Sequence, residues 1–283
     1  MTQTRTAFIA IVGCPNVGKS SILNRLLGQK IAVVSPKPQT TRTKIMGVLT
    51  ESDVQLVFTD TPGFHRPRTK LGEKMVKAVS DSISGVDACL FVVEPSGELR
   101  DAERDLLGKF KKEKIPVILA INKIDSVKQK ELLIERMAQF SALYDFEAIV
   151  PCSALKGDGF GELKDELFKQ SQPSPHFFPD DTLTDQPERV IAAEIIREKL
   201  LNLLDDEVPH GVAVCIERMH EREGSDITDI DATVYCERES HKGIIIGKKG
   251  EMLKKVSTRA REDMERFFMC KINLHCWVKV KEG

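Results

Sequence analysis

Gly13-Cys14-Pro15-Asn16-Val17-Gly18-Lys19-Ser20 is the stretch that decides the fold. Two glycines stand with four residues between them, and the second runs straight into Lys19 and Ser20. An apolar run over residues 7–12 precedes this stretch and a helical pattern over 19–27 follows, giving the strand, loop and helix context in which such a loop wraps a phosphate. Each position has a chemical reason. Gly13 and Gly18 let the backbone N–H groups curl around phosphate oxygens, Asn16 and Val17 complete the turn, and the helix N-terminus adds partial positive charge. Lys19 is placed to reach the β- and γ-phosphates, and Ser20, with Ser21 beside it, offers a hydroxyl to Mg²⁺.

Working outward, apolar runs recur at residues 54–58, 88–93, 117–121 and 148–150, with helical patterns at 71–83, 101–112 and 128–144. Strands alternating with helices imply a mostly parallel sheet covered on both faces, with ligands at the carboxyl ends of its strands. At one such end stands Asp60-Thr61-Pro62-Gly63, 41 residues after Lys19. Alone this is an ordinary turn. At a strand end downstream of the phosphate loop, its carboxylate can hold a metal through water, and the Gly63 N–H can meet a γ-phosphate. Asn122-Lys123-Ile124-Asp125 follows the run at 117–121, and the Asp125 carboxylate can accept from both guanine N1–H and the 2-amino group. Adenine would leave those acceptors unpaired, so GTP or GDP is expected rather than ATP. Ser153-Ala154-Leu155, after the run at 148–150, is placed beside the base.

The remainder forms a second unit. Pro173, Pro175, Pro179 and Pro187, among Ser, Asp and Thr, break every periodicity. The expected organisation is therefore a nucleotide domain over 1–172, a linker over 173–187 and a smaller α+β domain over 188–283. In the last, helical patterns at 188–204 and 251–268 accompany strand patterns at 212–219, 227–236 and 271–280. The formal charge of −1 hides a division: residues 1–172 carry +4, 173–239 carry −11 and 240–283 carry +6. A cationic block beside an acidic one suits a polyanion held on one face, although ordinary solvated faces would look the same. The seven cysteines are an odd number, spread along the chain without a CxxC pair, which points to a reducing compartment rather than a disulfide framework. Cys270, His275 and Cys276 lack a four-ligand set, and the alternation around them reads as a strand, which makes Trp277 a structural residue by the same pattern. No signal peptide or membrane span is recognisable.

These motifs, in order and each at a strand end, resemble those of the P-loop GTPases. The resemblance implies a switch threonine that binds Mg²⁺ only with the γ-phosphate present, carried here to Thr41 within Gln39-Thr40-Thr41-Arg42-Thr43, with Thr40 as the rival. After Gly63 stands Phe64, where Ras-like enzymes place a water-orienting glutamine. The chain is instead similar to GTPases with a hydrophobic residue there, many of which bind K⁺ through the asparagine matching Asn16. Lys19, Thr41, Gly63 and Asn16 are therefore the expected catalytic set, with Ser20, Thr41 and Asp60 at the metal.

Farther on, Ile244-Ile245-Ile246-Gly247-Lys248-Lys249-Gly250 resembles the GxxG signature of KH domains, and the helix, strand, strand, helix, helix, strand order suits the type II arrangement. Gly247 and Gly250 would admit a nucleic-acid backbone, and Lys248 and Lys249 would meet its phosphates. A P-loop GTPase domain joined to a terminal KH domain resembles the Era family over nearly all of residues 7–281. That resemblance implies slow GTP hydrolysis, binding of the KH domain to the 3′ end of 16S rRNA, and assistance to small ribosomal subunit assembly. It also implies a monomer in the cytoplasm, associated peripherally with the inner face of the plasma membrane. RNA-modification GTPases share the phosphate loop and the Thr-Thr-Arg segment but need further catalytic domains for which this chain has no room. An RNA-binding adaptor that holds GTP without turnover is the alternative.

Overall fold

The computed structural model describes residues 3–35, 45–64, 77, 79, 81–204 and 211–281. Thr40, Thr41 and their neighbours, and most of the helix expected at 71–83, lie outside the described residues. The chain divides into two compact units, Met1–Ala32 with Thr41–Asp185, and Val33–Thr40 with Gln186–Gly283.

In the first unit the strands are β1 (Arg5–Gly13), β2 (Ile45–Glu51), β3 (Val54–Asp60), β4 (Ala88–Val93), β5 (Val117–Ile121), β6 (Ala148–Pro151) and the short β7 (Gln172–Pro173). The sheet order is β2-β3-β1-β4-β5-β6, with β7 pairing β1. The ladders from β3 through β6 are parallel, and β2 is antiparallel to β3. Every residue of β3, β4 and β5 is buried. That explains their continuous apolar spelling, because a strand covered on both faces has no polar side to alternate with. Helices α1 (Lys19–Leu27), α2 (Asp101–Glu113), α3 (Lys130–Ser141) and α4 (Phe160–Lys169) connect them.

Besides the short β7, two elements of the first unit go beyond the sequence expectations. The edge strand β2 packs Gly47 onto α1, where a Cβ would lie 2.7 Å from a Leu27 methyl and 2.9 Å from one of Leu23. Helix α4 buries Leu163 and Leu167, spaced i,i+4, behind a left-handed Gly159 (φ 74°). The signal was there in Leu163 and Leu167, but the stretch is short and mostly charged.

The proline-containing stretch is bonded along the first unit. Gln55, wholly buried, accepts from the N–H groups of Phe177 and Phe178 and donates to Phe178 O. Thr6 donates to Pro175 O, Val48 N–H to Leu183 O, and Thr184 Oγ1 to Met46 O. His176 bonds Asp180, which raises its pKa above the ordinary histidine value, and its other ring nitrogen meets Asp53 O. Proline removes donors from the chain, and buried side chains such as Gln55 supply replacements.

The second unit runs α5 (Glu188–Leu203), β8 (Val212–Glu221), β9 (Ile227–Cys236), α6 (Glu239–Ile246), α7 (Glu251–Phe268) and β10 (Lys271–Val280). Its sheet order is β10-β9-β8, with β9 parallel to β10 and antiparallel to β8. Ile196 and Leu200 of α5, Ile245 of α6, and Val256, Ala260 and Met264 of α7 form one core with Ile230, Ala232 and Val234 of β9. Residues 244–246, compatible with strand or helix by sequence, are helical. This is an α+β KH-type unit following an α/β unit, as expected. No helix among the described residues is long and apolar enough to cross a membrane.

Candidate nucleotide site and nucleic-acid interface

The parallel register brings four motifs to one rim. Ile11 of β1 lies opposite Asp60 of β3, Gly13 opposite Val92 of β4, Val93 opposite Ile121 of β5, and Ile121 opposite Pro151 of β6. The loops after these strands are therefore neighbours, at the point where the chain turns from one side of β1 to the other.

Sterics fix the glycines. A Cβ on Gly13 (φ 152°) would sit 2.3 Å from Val92 O, and one on Gly18 (φ 99°) would sit 2.2 Å from Asn122 Nδ2. Between them Asn16 takes the left-handed region at φ 64° without being glycine, a conformation that asparagine tolerates better than most residues. Gly63 is tight for another reason. Its Cβ would meet Pro15 at 2.7 Å, so the Asp60–Gly63 turn touches the phosphate loop.

Lys19 is 6% exposed and donates to Gly13 O at 3.2 Å and Cys14 O at 2.9 Å. Burial depresses its pKa, and the Asp60 carboxylate opposes that shift. Ser20 Oγ donates to Asp60 Oδ2 at 2.6 Å, which sets a hydroxyl oxygen beside a carboxylate. The donor set thus fits a hard divalent cation held through oxygen. Thr61 anchors the turn by donating to Ile11 O. Ser21 follows Ser20 on α1.

Asn122, 1% exposed, ties the rim together. Its Nδ2 donates to Val17 O at 2.9 Å, and its Oδ1 accepts from Ala154 N–H at 3.0 Å. Lys123 (φ 67°) reaches Asn16 O and, at 2.8 Å, Glu94 Oε1. Asp125 is exposed and accepts from Ser153 Oγ at 2.5 Å, while Leu155 is 75% exposed. An open carboxylate is thus presented beside an apolar side chain, as a flat base with two donors requires.

Sequence reasoning missed Glu94. It follows β4 and accepts from both Lys123 and Arg100. Burial would raise its pKa, but these two cations hold it below the usual carboxylate range. No local motif announces it, since its partners are six and 29 residues away. Phe64 is 5% exposed, in a cluster with Val79, Phe91 and Phe110, and Lys109 Nζ stands 4.7 Å from its ring centre. The position after Gly63 thus serves the core.

In the second unit Gly247 (φ 73°) approaches Met252, whose Cβ would be 2.6 Å from an added Cβ, and Gly250 (φ 81°) caps the start of α7. Lys248 and Lys249 are exposed between them, and Lys254, Lys255 and Arg259 continue along the exposed side of α7. Of the apolar residues beside the loop, Ile245 belongs to the core and Ile244 is 49% exposed. Cys276 packs into the core, whereas His275 faces solvent against Asp231 and Cys270 meets Thr228.

Family models agree with this division. One described as a 50S ribosome-binding GTPase matches residues 8–123, and a KH-domain model matches 207–283. The chain is 48% identical to the GTPase Era of Clostridioides difficile strain 630, over 99% of this chain and 94% of that protein. The chain belongs to the Era GTPase family. To the GTPase Era of Ruminiclostridium cellulolyticum it is 50% identical, over 98% of this chain and 92% of that one. Among solved Era structures, an Aquifex aeolicus variant bound to GDP and AlF4− superposes with a TM-score of 0.93 at 36% identity, covering 99% of this chain and 95% of that one. An Era in complex with MgGDPNP and nucleotides 1506–1542 of 16S ribosomal RNA superposes at 0.91 with 37% identity, with the same coverage. The chain is accordingly a GTPase of the Era family with a P-loop domain and a KH domain.

Proposed function

We propose that this GTPase is a switch whose KH unit binds the 3′ end of 16S rRNA and assists maturation of the small ribosomal subunit. The observation that carries the reading is the coexistence of a rim of guanine-nucleotide motifs with a GxxG loop bearing two exposed lysines. The Era complex with MgGDPNP and 16S rRNA supports it, since that protein holds both ligands. Family membership is likewise the support for a cytoplasmic monomer with peripheral placement at the membrane's inner face.

In this reading Gly13, Val17, Gly18, Ser21 and Gly63 shape the phosphate cradle, and Lys19 neutralises the β- and γ-phosphates. Ser20, Asp60 and Thr41 would hold Mg²⁺, which supplies further charge neutralisation when bound. Asn122, Lys123, Asp125, Ser153, Ala154 and Leu155 form the base end. Turnover is slow because Phe64 is committed to the core and offers no group to orient water. K⁺ held at Asn16 would supply part of the missing transition-state charge. Hydrolysis is expected to run faster in K⁺ than in Na⁺ of equal ionic strength, and Asn16→Ala should remove the difference. Equal wild-type rates in the two salts would refute the Asn16 assignment.

In this switch the γ-phosphate, bound by Thr41, would favour one RNA-binding state of the KH unit over the other. The test is binding of the 16S 3′ segment in the GTP-analogue and GDP states. Different affinities are expected, and equal ones would remove the switch. Lys248→Asp with Lys249→Asp should weaken binding by about tenfold or more at 0.15 M salt and flatten its salt dependence by about two counterions. Unchanged binding would discard the GxxG loop as the contact.

A further inference from the structure

The open face of the KH sheet carries a row of rings that the GxxG loop does not use. Alternation sends Ile272, Leu274, Cys276 and Val278 of β10 toward the helices, so Lys271, His275, Trp277 and Lys279 project from the other side. Trp277 is 48% exposed there, despite the strand pattern that made it look structural. The His275 and Trp277 ring centres are 6.0 Å apart. In register, Trp277 lies opposite Thr233 and Lys279 opposite Tyr235, which makes Tyr235 the diagonal neighbour of Trp277 on the same face. Cys215 of β8 completes the Trp277 row, so the flanking residues at this level are small.

The charge around the rings suits an anionic chain. Lys279 and Lys281 stand at one end, and Lys281 Nζ lies 5.7 Å from the Tyr235 ring centre. Lys271 and Arg218 stand farther down the face. Three of the acidic residues nearby, Asp229, Asp231 and Glu217, have partners, and Glu237 stands at the lysine end. Asp229 accepts two bonds from Arg222 and one from Asn273, which hold its carboxyl far below the usual range. Asp231 faces His275 at 3.3 Å, and Glu217 accepts from the Tyr235 hydroxyl. An exposed large ring flanked by smaller rings and lysines is the makeup of a surface on which unpaired bases stack while lysines follow the phosphates.

We propose that the outer face of the β8–β10 sheet, centred on Trp277, is a second contact for single-stranded RNA, separate from the GxxG loop. It rests on the reading of the KH unit as an RNA binder. The chain contains a single tryptophan, so its intrinsic fluorescence reports this position alone. The experiment titrates the full chain with a 12-nucleotide unstructured oligoribonucleotide, following both tryptophan emission and the anisotropy of a dye on the RNA. Wild type is expected to show saturable quenching. Trp277→Ala should bind about tenfold more weakly, and Trp277→Phe should recover most of the loss. In the Lys248→Asp, Lys249→Asp variant the quenching should persist at raised RNA concentration. If RNA binds while Trp277 emission stays constant and Trp277→Ala binds like wild type, the platform is wrong and the GxxG reading stands. If no RNA binds to the wild-type chain in either channel, both fall.

Discussion

Asp125→Asn should lower the affinity for GTP and GDP by about three orders of magnitude and give the protein a preference for xanthosine nucleotides. The carboxylate accepts two hydrogen bonds from guanine. An amide in the same place presents a donor to one of those donors, and the resulting buried mismatch is what costs affinity. Xanthine carries a carbonyl where guanine carries its amino group, so the amide donor is satisfied again. Asp125 is exposed, and its described bond is with Ser153. Folding should therefore change by no more than about 0.5 kcal/mol, the ordinary range for a surface substitution. Calorimetric titration with GDP and with xanthosine diphosphate measures both halves. Retained GDP affinity would show that the base is read elsewhere.

Lys19→Met should reduce single-turnover GTP hydrolysis by about 10²- to 10³-fold, the range for removing one preorganised charge at a transition state. It should leave the nucleotide-free protein nearly as stable as wild type. The ammonium is buried against two backbone carbonyls, and desolvation depresses its pKa. In the absence of a phosphate it is therefore a poorly solvated charge, and methionine fills a similar volume without one. The pH dependence follows in sign. A lysine whose folded pKa is depressed binds its proton more weakly folded than unfolded. Stability of the nucleotide-free wild type should then rise with pH between that depressed pKa and the ordinary lysine value. Lys19→Met should lack this component. Turnover at the wild-type rate would remove Lys19 from the reaction, and collapse of the fold would make it a structural residue first.

Much of the site was visible in the chain because its chemistry is spelled in contiguous residues. The phosphate loop needs glycine where the backbone turns left-handed or where a Cβ would sit 2.3 Å from Val92 O, and such needs are written locally. The Asn122–Asp125 motif is likewise one turn of chain after one strand. Glu94 was not visible, because its role depends on β4 ending beside β5 and placing a carboxylate under Lys123. The proline-containing stretch was expected to be a connector, since proline signals only where regular structure stops. Its attachment comes from Gln55, more than a hundred residues earlier, whose buried amide takes up the backbone groups of Phe177 and Phe178.

From the order of residues alone came the type of most strands and helices, the guanine preference and the two glycine loops, because each follows from local conformation or from the hydrogen-bonding capacity of one side chain. Tertiary packing decided which strand ends share a rim, and which side of the KH sheet meets water. Alternation with period two divides β10 into two sets of side chains but is silent on which set is covered. Helices α6 and α7 packing onto the Ile272, Leu274, Cys276 and Val278 side of β10 settled that choice and left Trp277 outside.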